Sequence, residues 1–486
     1  MPSNEWSITI DGGGGFMPLW FENSWNYKGN IDQLNAMVNT DITDPNVITQ
    51  GPGVVALTKG DQADAVTTLI GSILPMATST NVSFAVGTNL LHKISATAVT
   101  DDGTYPLTID KATVTGETAT DLGFYQANVY VFYNHSATAG DIAKLTVGTD
   151  TLDPDWGSSI PTGAGTLQDA PHYVCNGGDD VLYFTNGRYL GSIDATTLTL
   201  QALDFWTDAE AVSVTWNFNR VYIAVNRPNV TGANFNQSGI YKWNGVSASW
   251  EGDPIEVSGE IGALYTKNGR TYVWWKEGTD TGGYSFGYIG PGELVLIRSY
   301  SGSLPNQAQV GEYMRHIAWM SGQYLFLWGA KDRFTEVKLS QYMSAEYANA
   351  GGFATPFGTP LIASYLSTNF SLVKPSGYTV TSTGSTRAFK MNRAGFKAQI
   401  NTVQIETEQL ATGAKCDFTL YYDQAKSNVA LTQIAYSTAN DTIHDILPST
   451  ISAESFRLDF DFANGSITNP VKIRSIMISG EWAKNN

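Results

Sequence analysis

The stretch DVLYFTNGRYLGSIDATTLTLQALDF (180–205) sets three strand-like runs in a row: DVLYFT (180–185), RYLGSI (188–193) and TLTLQALDF (197–205). Each is rich in Val, Leu, Ile, Tyr, Phe and Thr, with Gly, Asn and Asp between them, the pattern of antiparallel strands joined by tight turns. The same unit returns on both sides. Apolar cores entered from a polar or glycine residue stand at NVSFAV (81–86), NVYVFY (128–133), RVYIAV (220–225), RTYVWW (270–275) and GQYLFLW (322–328). With 180–185 they make six, their starts 47, 52, 40, 50 and 52 residues apart. Several follow another strand-like run, as in SVTWNFN (213–219), GALYTKNG (262–269) and HIAWMSG (316–322). Third runs follow each core, among them LLHKIS (90–95), DIAKLT (141–146) and GIYKWN (239–244), and ELVLIRSY (293–300) reads as a fourth.

A unit of three or four antiparallel strands cannot bury its faces alone, so neighbouring copies must stack. The expected fold is therefore all-β: a propeller over 51–340, of six blades or of seven, followed by an antiparallel β-sandwich of jelly-roll type over 393–486. Two sandwiches of irregular strands are the competing architecture. The sixth copy lacks a fourth strand after Leu339, and GVVALTKG (53–60) is expected to supply it as the outer strand of blade six, leaving no open edge. Helical spacing is confined to Gln62 to Leu74 and to QYMSAEYANA (341–350).

Beyond Arg393 the repeat stops and longer alternating strands appear. CDFTLYYD (416–423) puts Cys416, Phe418, Leu420 and Tyr422 on one face, and SFRLDFDF (455–462) does the same with Phe456, Leu458, Phe460 and Phe462. FKAQINTVQIETE (396–408) and VKIRSIMISGEW (471–482) each slip phase once, which predicts β-bulges near Asn401 and Ser475. Residues 341–392, rich in Gly, Ser, Thr and Pro, read as a linker. Residues 1–50 read as an extended arm whose Phe16, Trp20, Phe21, Trp25 and Tyr27 either pack on their own propeller or anchor in a neighbouring subunit.

Composition narrows the function. The chain has 486 residues, 42% hydrophobic and 15% charged, enough for at least one sizeable core. No apolar run is long enough to span a bilayer, and no basic and apolar leader opens the sequence. A formal charge of −17 disfavours broad contact with nucleic-acid phosphates. Cys175 and Cys416 lie too far apart in sequence to form a disulfide framework and read as reduced thiols.

Motifs of chemistry are weak. DGGGG (11–15) has neither the Lys-Ser/Thr of a phosphate loop nor GxGxxG spacing and reads as a turn. His92, His135, His172, His316 and His444 are scattered without HxxxH or HExxH spacing. In PHYVC, His172 and Cys175 would point to opposite faces of a strand, so they are expected to pack a blade rather than share a metal. TDITDPN (40–46) and DQAD (61–64) miss the DxDxDG calcium pattern. No GxSxG occurs. The carboxylates that could form a glycosidase pair are Asp153 and Asp155, Asp179 and Asp180, and Asp208 and Glu210, all in turn-like contexts. No cofactor or metal site is expected, and no catalytic residue is nominated.

The irregular repeats, the last copy GQYLFLWGAKDRFTEVKLSQY, the entry NAMVNTDITDPNVITQGPGVVALTKG (35–60) and the ending SFRLDFDFANGSITNPVKIRSIMISGEW (455–482) together resemble the β-propeller structural proteins of tailed-bacteriophage virions, a group with nozzle and tail-hub members. The resemblance covers most of the chain and is one of pattern. It implies a non-enzymatic virion component, made in the host cytoplasm and assembled at the tail or portal vertex in several copies. Its partners would then be other virion proteins and copies of itself, with no membrane insertion. Acidic charge along a propeller channel would let DNA slide past. Receptor or glycan recognition, as in a head fibre or tail spike, is the alternative, with Trp156, Trp243, Trp250 or Trp275 stacking on sugars. An enzyme on glycans is a third. For the tryptophans the competing expectation is packing between blades, and of Trp274 and Trp275 only one can face each way.

Overall fold

The computed structural model describes residues 5–10, 34–38, 40–41 and 47–56, the strand segments between 58 and 99, and 104–109. It also describes 118–338 apart from 136–137, 160–166, 196, 228–236, 278–282, 314–315, 323 and 330–332. The remainder is 347–378 apart from 355–360 and 367–368, and 382–484 apart from 392–395, 425, 440 and 463–467. The five aromatics of the expected arm, Phe16, Trp20, Phe21, Trp25 and Tyr27, lie outside the described residues.

The chain is a β-propeller with a β-sandwich. Sheet 1 holds Ile73–Thr78, Ser83–Gly87, Leu90–Ile94 and Ala98–Val99 in order, with Thr58–Lys59 added parallel at its edge. Sheet 2 runs Thr118–Tyr125, Asn128–His135, Thr138–Thr146 and Thr151–Asp153, and sheet 3 runs Val174–Asn176, Leu182–Asn186, Tyr189–Asp194 and Thr197–Asp204. Sheet 4 is Glu210–Asn217, Arg220–Arg227, Gln237–Trp243 and Ile255–Val257, and sheet 5 is Gly259–Lys267, Arg270–Glu277, Gly283–Ile289 and Leu294–Ser301. Sheet 6 is Val310–Tyr313, His316–Ser321, Tyr324–Gly329 and Arg333–Lys338. Sheet 7 is Tyr347–Ala354, Leu361–Leu366, Asn369–Tyr378 and Pro52–Ala56.

Turn chemistry explains the regularity of sheets 2, 4 and 5. Their first hairpins close on two residues of positive φ, Gln126–Ala127, Phe218–Asn219 and Asn268–Gly269, the geometry whose twist matches that of paired strands. Each first strand also carries a bulge near its start: between Ala119 and Asp121, Ala211 and Ser213, and Ile261 and Ala263. The first strands of the seven sheets pack each against the next, and that of sheet 7 meets that of sheet 1. The ring is closed.

Aromatic rings fill the spaces between sheets. Phe132 of sheet 2 meets Phe184 of sheet 3 at 4.7 Å, and Tyr183 of sheet 3 stacks on Trp216 of sheet 4 at 6.1 Å. The adjacent Trp274 and Trp275 divide as strand alternation requires. Trp274 meets Trp319 of sheet 6 at 5.6 Å, while Trp275 joins Ala224 and Ile240 of sheet 4.

Three expectations need correction. GQYLFLW (322–328) is the third strand of its sheet and HIAWMSG (316–322) the second, so Arg333–Lys338 already supplies the fourth strand. Pro52–Ala56 therefore closes sheet 7 and not blade six. Residues 347–378 are three strands and not a linker; two register shifts between Tyr347 and Gly352 break the alternation that would have announced them. The helix expected over 341–350 is strand from Tyr347, and Ile73 and Leu74 likewise lie in a strand.

The sandwich unit is built on two sheets. One has the order Thr40–Asp41, Ile48–Gln50, Lys472–Lys484, Phe396–Thr407, Ile443–Asp445, with Glu5–Ile10 also on Lys472–Lys484 and Ile451–Ala453 on Phe396–Thr407. The other has Leu34–Val38, Thr383–Thr386, Ser455–Asp461, Lys415–Tyr422 and Ser427–Ala430, with Phe389–Lys390 and Ile434–Ala435 paired to its middle strands. Phe418 faces Phe460 and Leu420 faces Leu458 across the second sheet, all four buried as their alternation requires. The bulges fall between Ile400 and Thr402 and beside Ser475. Strand Glu5–Ile10 pairs along the last strand of the chain from Glu5↔Glu481 to Ile10↔Ile476, and Trp6 stacks on Phe456 at 5.8 Å. The described parts of residues 1–50 are thus sandwich strands, where an extended arm was expected.

Candidate functional site

The bulges have a chemical consequence. A bulge turns one side chain of the first strand toward the neighbouring sheet. In sheet 2 that residue is Asp121, 3% exposed, whose carboxylate accepts from Leu122 N–H at 2.6 Å and from Val174 N–H of sheet 3 at 2.8 Å. Burial pushes the Asp121 carboxyl well above the usual range, against the lowering effect of those two donors. Sheet 4 uses Ser213, whose hydroxyl accepts from Leu264 N–H of sheet 5 at 2.8 Å. Asn226 adds a two-way bond to the Ile261 backbone, 2.9 Å for N–H to Oδ1 and 2.9 Å for Nδ2 to carbonyl.

Between sheets 3 and 4, Ala211 N–H donates directly to Gly187 O at 2.7 Å, and a side-chain bond comes from elsewhere in the chain. The connector after sheet 5 carries a short 3₁₀ turn, Gln307–Gln309. The Gln307 carbonyl Oε1 accepts from Ser213 Oγ and Val214 N–H, each at 2.7 Å, and its Nε2 donates to Val174 O at 3.0 Å. The same turn packs against first strands of sheets 1, 4, 5 and 7. This three-residue turn therefore sits among the inner strands of four sheets.

Beside this turn lies a cavity of about 570 Å³. It sits where the first strands of sheets 4 and 5 begin, with Glu210 and Val212 from one and Glu260 and Gly262 from the other. Lys276 reaches it from the second strand of sheet 5, directly across from Glu260, as Asn226 lies across from Glu210. Tyr173 borders it from the sheet 3 side, and Ser303, Leu304 and Asn306 from the connector. Glycine is needed at 262 because a Cβ there would run into Pro305 O and the Leu304 side chain. Burial, and then the charge of Glu260, raise the Glu210 carboxyl above its ordinary value. Burial also raises the Tyr173 phenol, which stays protonated. The Asn306 Oδ1 is buried without a hydrogen-bond partner.

Of the carboxylates nominated from sequence, Glu210 alone reaches the cavity. Asp208 is paired with Arg227 at 3.0 Å, Asp179 accepts from the Tyr183 hydroxyl at 2.5 Å, Asp180 sits at positive φ, and Asp153 accepts from Asp155 N–H at 3.3 Å within one turn. Glu260 and Lys276 were missed because each stands singly in a strand, and only the alignment of neighbouring sheets brings them to Glu210. Trp156, Trp243, Trp274 and Trp275 are all buried, and half-buried Trp250 packs on Phe205 and Tyr241, so these tryptophans form core and not sugar platforms. His172 is fully buried, its Nδ1 bonded to Thr185 O at 2.8 Å and its ring against Phe132. Desolvation lowers its pKa to about 4. Cys175 and Cys416 are free thiols. Among the described residues no group of three His, Cys, Asp or Glu could hold a metal.

No protein-family profile and no curated protein sequence matches the chain. Solved structures that resemble it include the computationally designed Ika8 protein, at 12% identity and TM-score 0.39 over 66% of this chain and 99% of that one. An exo-β-1,3-galactanase from Phanerochaete chrysosporium, solved with galactose, matches at 10% identity and TM-score 0.29 over 88% and 99%. A protein of unknown function from Bacteroides caccae matches at 10% identity and TM-score 0.35 over 49% and 83%.

Proposed function

We propose that the protein is a non-enzymatic structural component of a bacteriophage virion, held at the tail or portal vertex in several copies. The observation that carries this reading is the stapling of three neighbouring junctions: buried side chains of one sheet hold backbone groups of the next, and Gln307 ties a further junction from the connector after sheet 5. Packed junctions tied by buried hydrogen bonds resist deformation, which suits a part that transmits load rather than one that opens and closes. The sequence resemblance to phage propeller proteins supplies the setting. Its partners are other virion proteins and copies of itself, with Phe16, Trp20, Phe21, Trp25 and Tyr27 as the proposed anchors, and it is made in the host cytoplasm.

Quantitative mass spectrometry of purified particles tests the proposal. The expected result is this chain at a fixed multiple of the portal protein, surviving a high-salt wash. Its recovery only from the lysate, or turnover of nitrophenyl glycosides by the purified chain, would overturn the reading.

A further inference from the structure

Three charged side chains meet at the cavity beside the 3₁₀ turn, and none of them has a hydrogen bond or an ion pair among the described residues: Glu210, Glu260 and Lys276. This is unusual for Glu260 and Lys276, which are direct cross-strand neighbours of opposite charge. The Asn306 oxygen is a fourth unsatisfied group. Asn226 in the cavity wall and Gln307 next to Asn306 are committed. Asn226 spends its amide on the Ile261 backbone, and Gln307 spends its own on Ser213, Val214 and Val174. The cavity thus presents open polar groups beside a framework held by closed ones.

The chemistry of its occupant follows from what the open groups lack. Glu210, Glu260 and the Asn306 oxygen are acceptors and need donors, whereas Lys276 is a donor and needs an acceptor. An anion would meet two carboxylates, and a simple cation would meet the ammonium group. A hydroxyl serves both sides, since it donates and accepts at once. Tyr173, Val212 and Leu304 add apolar wall against which the C–H face of a ring can lie. The volume of about 570 Å³ is in the range of small-ligand sites. We propose that this cavity binds a neutral sugar ring, its hydroxyls donating to Glu210, Glu260 and Asn306 and accepting from Lys276. The site is independent of the assembly role, and its failure leaves that proposal standing.

Saturation-transfer NMR on the full-length protein tests the site with the methyl glycosides of glucose, galactose, mannose and N-acetylglucosamine, each at millimolar concentration. Methyl glycosides present the ring as it stands at a glycan chain end, and the matching free sugars separate that source from a soluble monosaccharide. Binding of at least one ring is expected. Exchanging both carboxylates, Glu210→Gln with Glu260→Gln, weakens it by about tenfold or more, the effect of losing hydrogen bonds to charged acceptors. Ser303→Trp keeps every charge but fills the rim, and is expected to abolish binding with the unfolding midpoint unchanged. Failure of every ring to bind would overturn the proposal. So would equal binding of the open-chain alditols, binding unaffected by the variants, or stronger binding of arginine methyl ester.

Discussion

The junction between sheets 2 and 3 and the junction between sheets 3 and 4 meet the same need in different ways. In the first, Asp121 of the leading strand reaches its neighbour's Val174 N–H directly. In the second, the corresponding Val214 N–H is answered by Gln307, about ninety residues further along the chain. The local staple depends only on a bulge and a short polar residue. The remote one can form only after sheet 5 and its connector are in place, so this ring junction is completed by a piece that also packs on the inner strands of sheets 1, 5 and 7.

Removing the local staple should have the largest effect. Asp121→Ala leaves two backbone donors buried without an acceptor and is expected to cost about 4 kcal/mol, measured as a shift in the urea midpoint. A retained midpoint would mean that water replaces the carboxylate.

Acid sharpens the comparison, because two buried groups near this junction respond with opposite sign. His172 has its folded pKa depressed to about 4 from 6.5, so its stabilising contribution is complete above pH 6.5 and is lost as the pH falls through 4. That loss amounts to about 3 kcal/mol, and His172→Gln should flatten the acid limb of stability against pH. Asp121, with its folded pKa raised from 3.8, contributes stability below that value which disappears as the pH rises through the folded pKa. Asp121→Asn should remove the rising-pH loss.

The remote staple is expected to be weaker. Gln307→Ala should cost about 2 kcal/mol and Ser213→Ala about the same, but the pair shares a bond, so the double variant should fall short of additivity by about 1 kcal/mol. Strict additivity would separate the turn from the ring. The smallest effect is expected at the cavity, where Glu210→Gln removes a half-buried acid of raised pKa. At neutral pH the change should be slightly stabilising, by less than about 1 kcal/mol after solvent screening.

Much of the ring was legible because sheets 2 to 5 repeat both strand alternation and tight-turn chemistry, as in NVYVFY, DVLYFT and RVYIAV. Legibility failed where bulges interrupt the alternation, at Tyr347 to Gly352, and where HIAWMSG and GQYLFLW, both apolar, exchanged places as second and third strand. In the sandwich, even the bulges at Asn401 and Ser475 could be read, because one slipped phase in a long strand is visible against its flanks. The run SITI (7–10) reads as a strand, but its place in the sandwich could not be read, since its partner lies at the far end of the chain. The candidate site was legible only at Glu210. Glu260, Lys276 and Asn306 carry no local signal, because stacking of sheets and not sequence spacing brings them together.

Native-state hydrogen exchange at the amides of Val174, Val214 and Leu264 tests the stapled ring most directly. All three are predicted to exchange only through global unfolding, with one shared free energy and one shared dependence on denaturant. Exchange of Val214 by a local opening, far faster than Val174 and Leu264, would contradict the account, because Gln307 would then not be holding the ring.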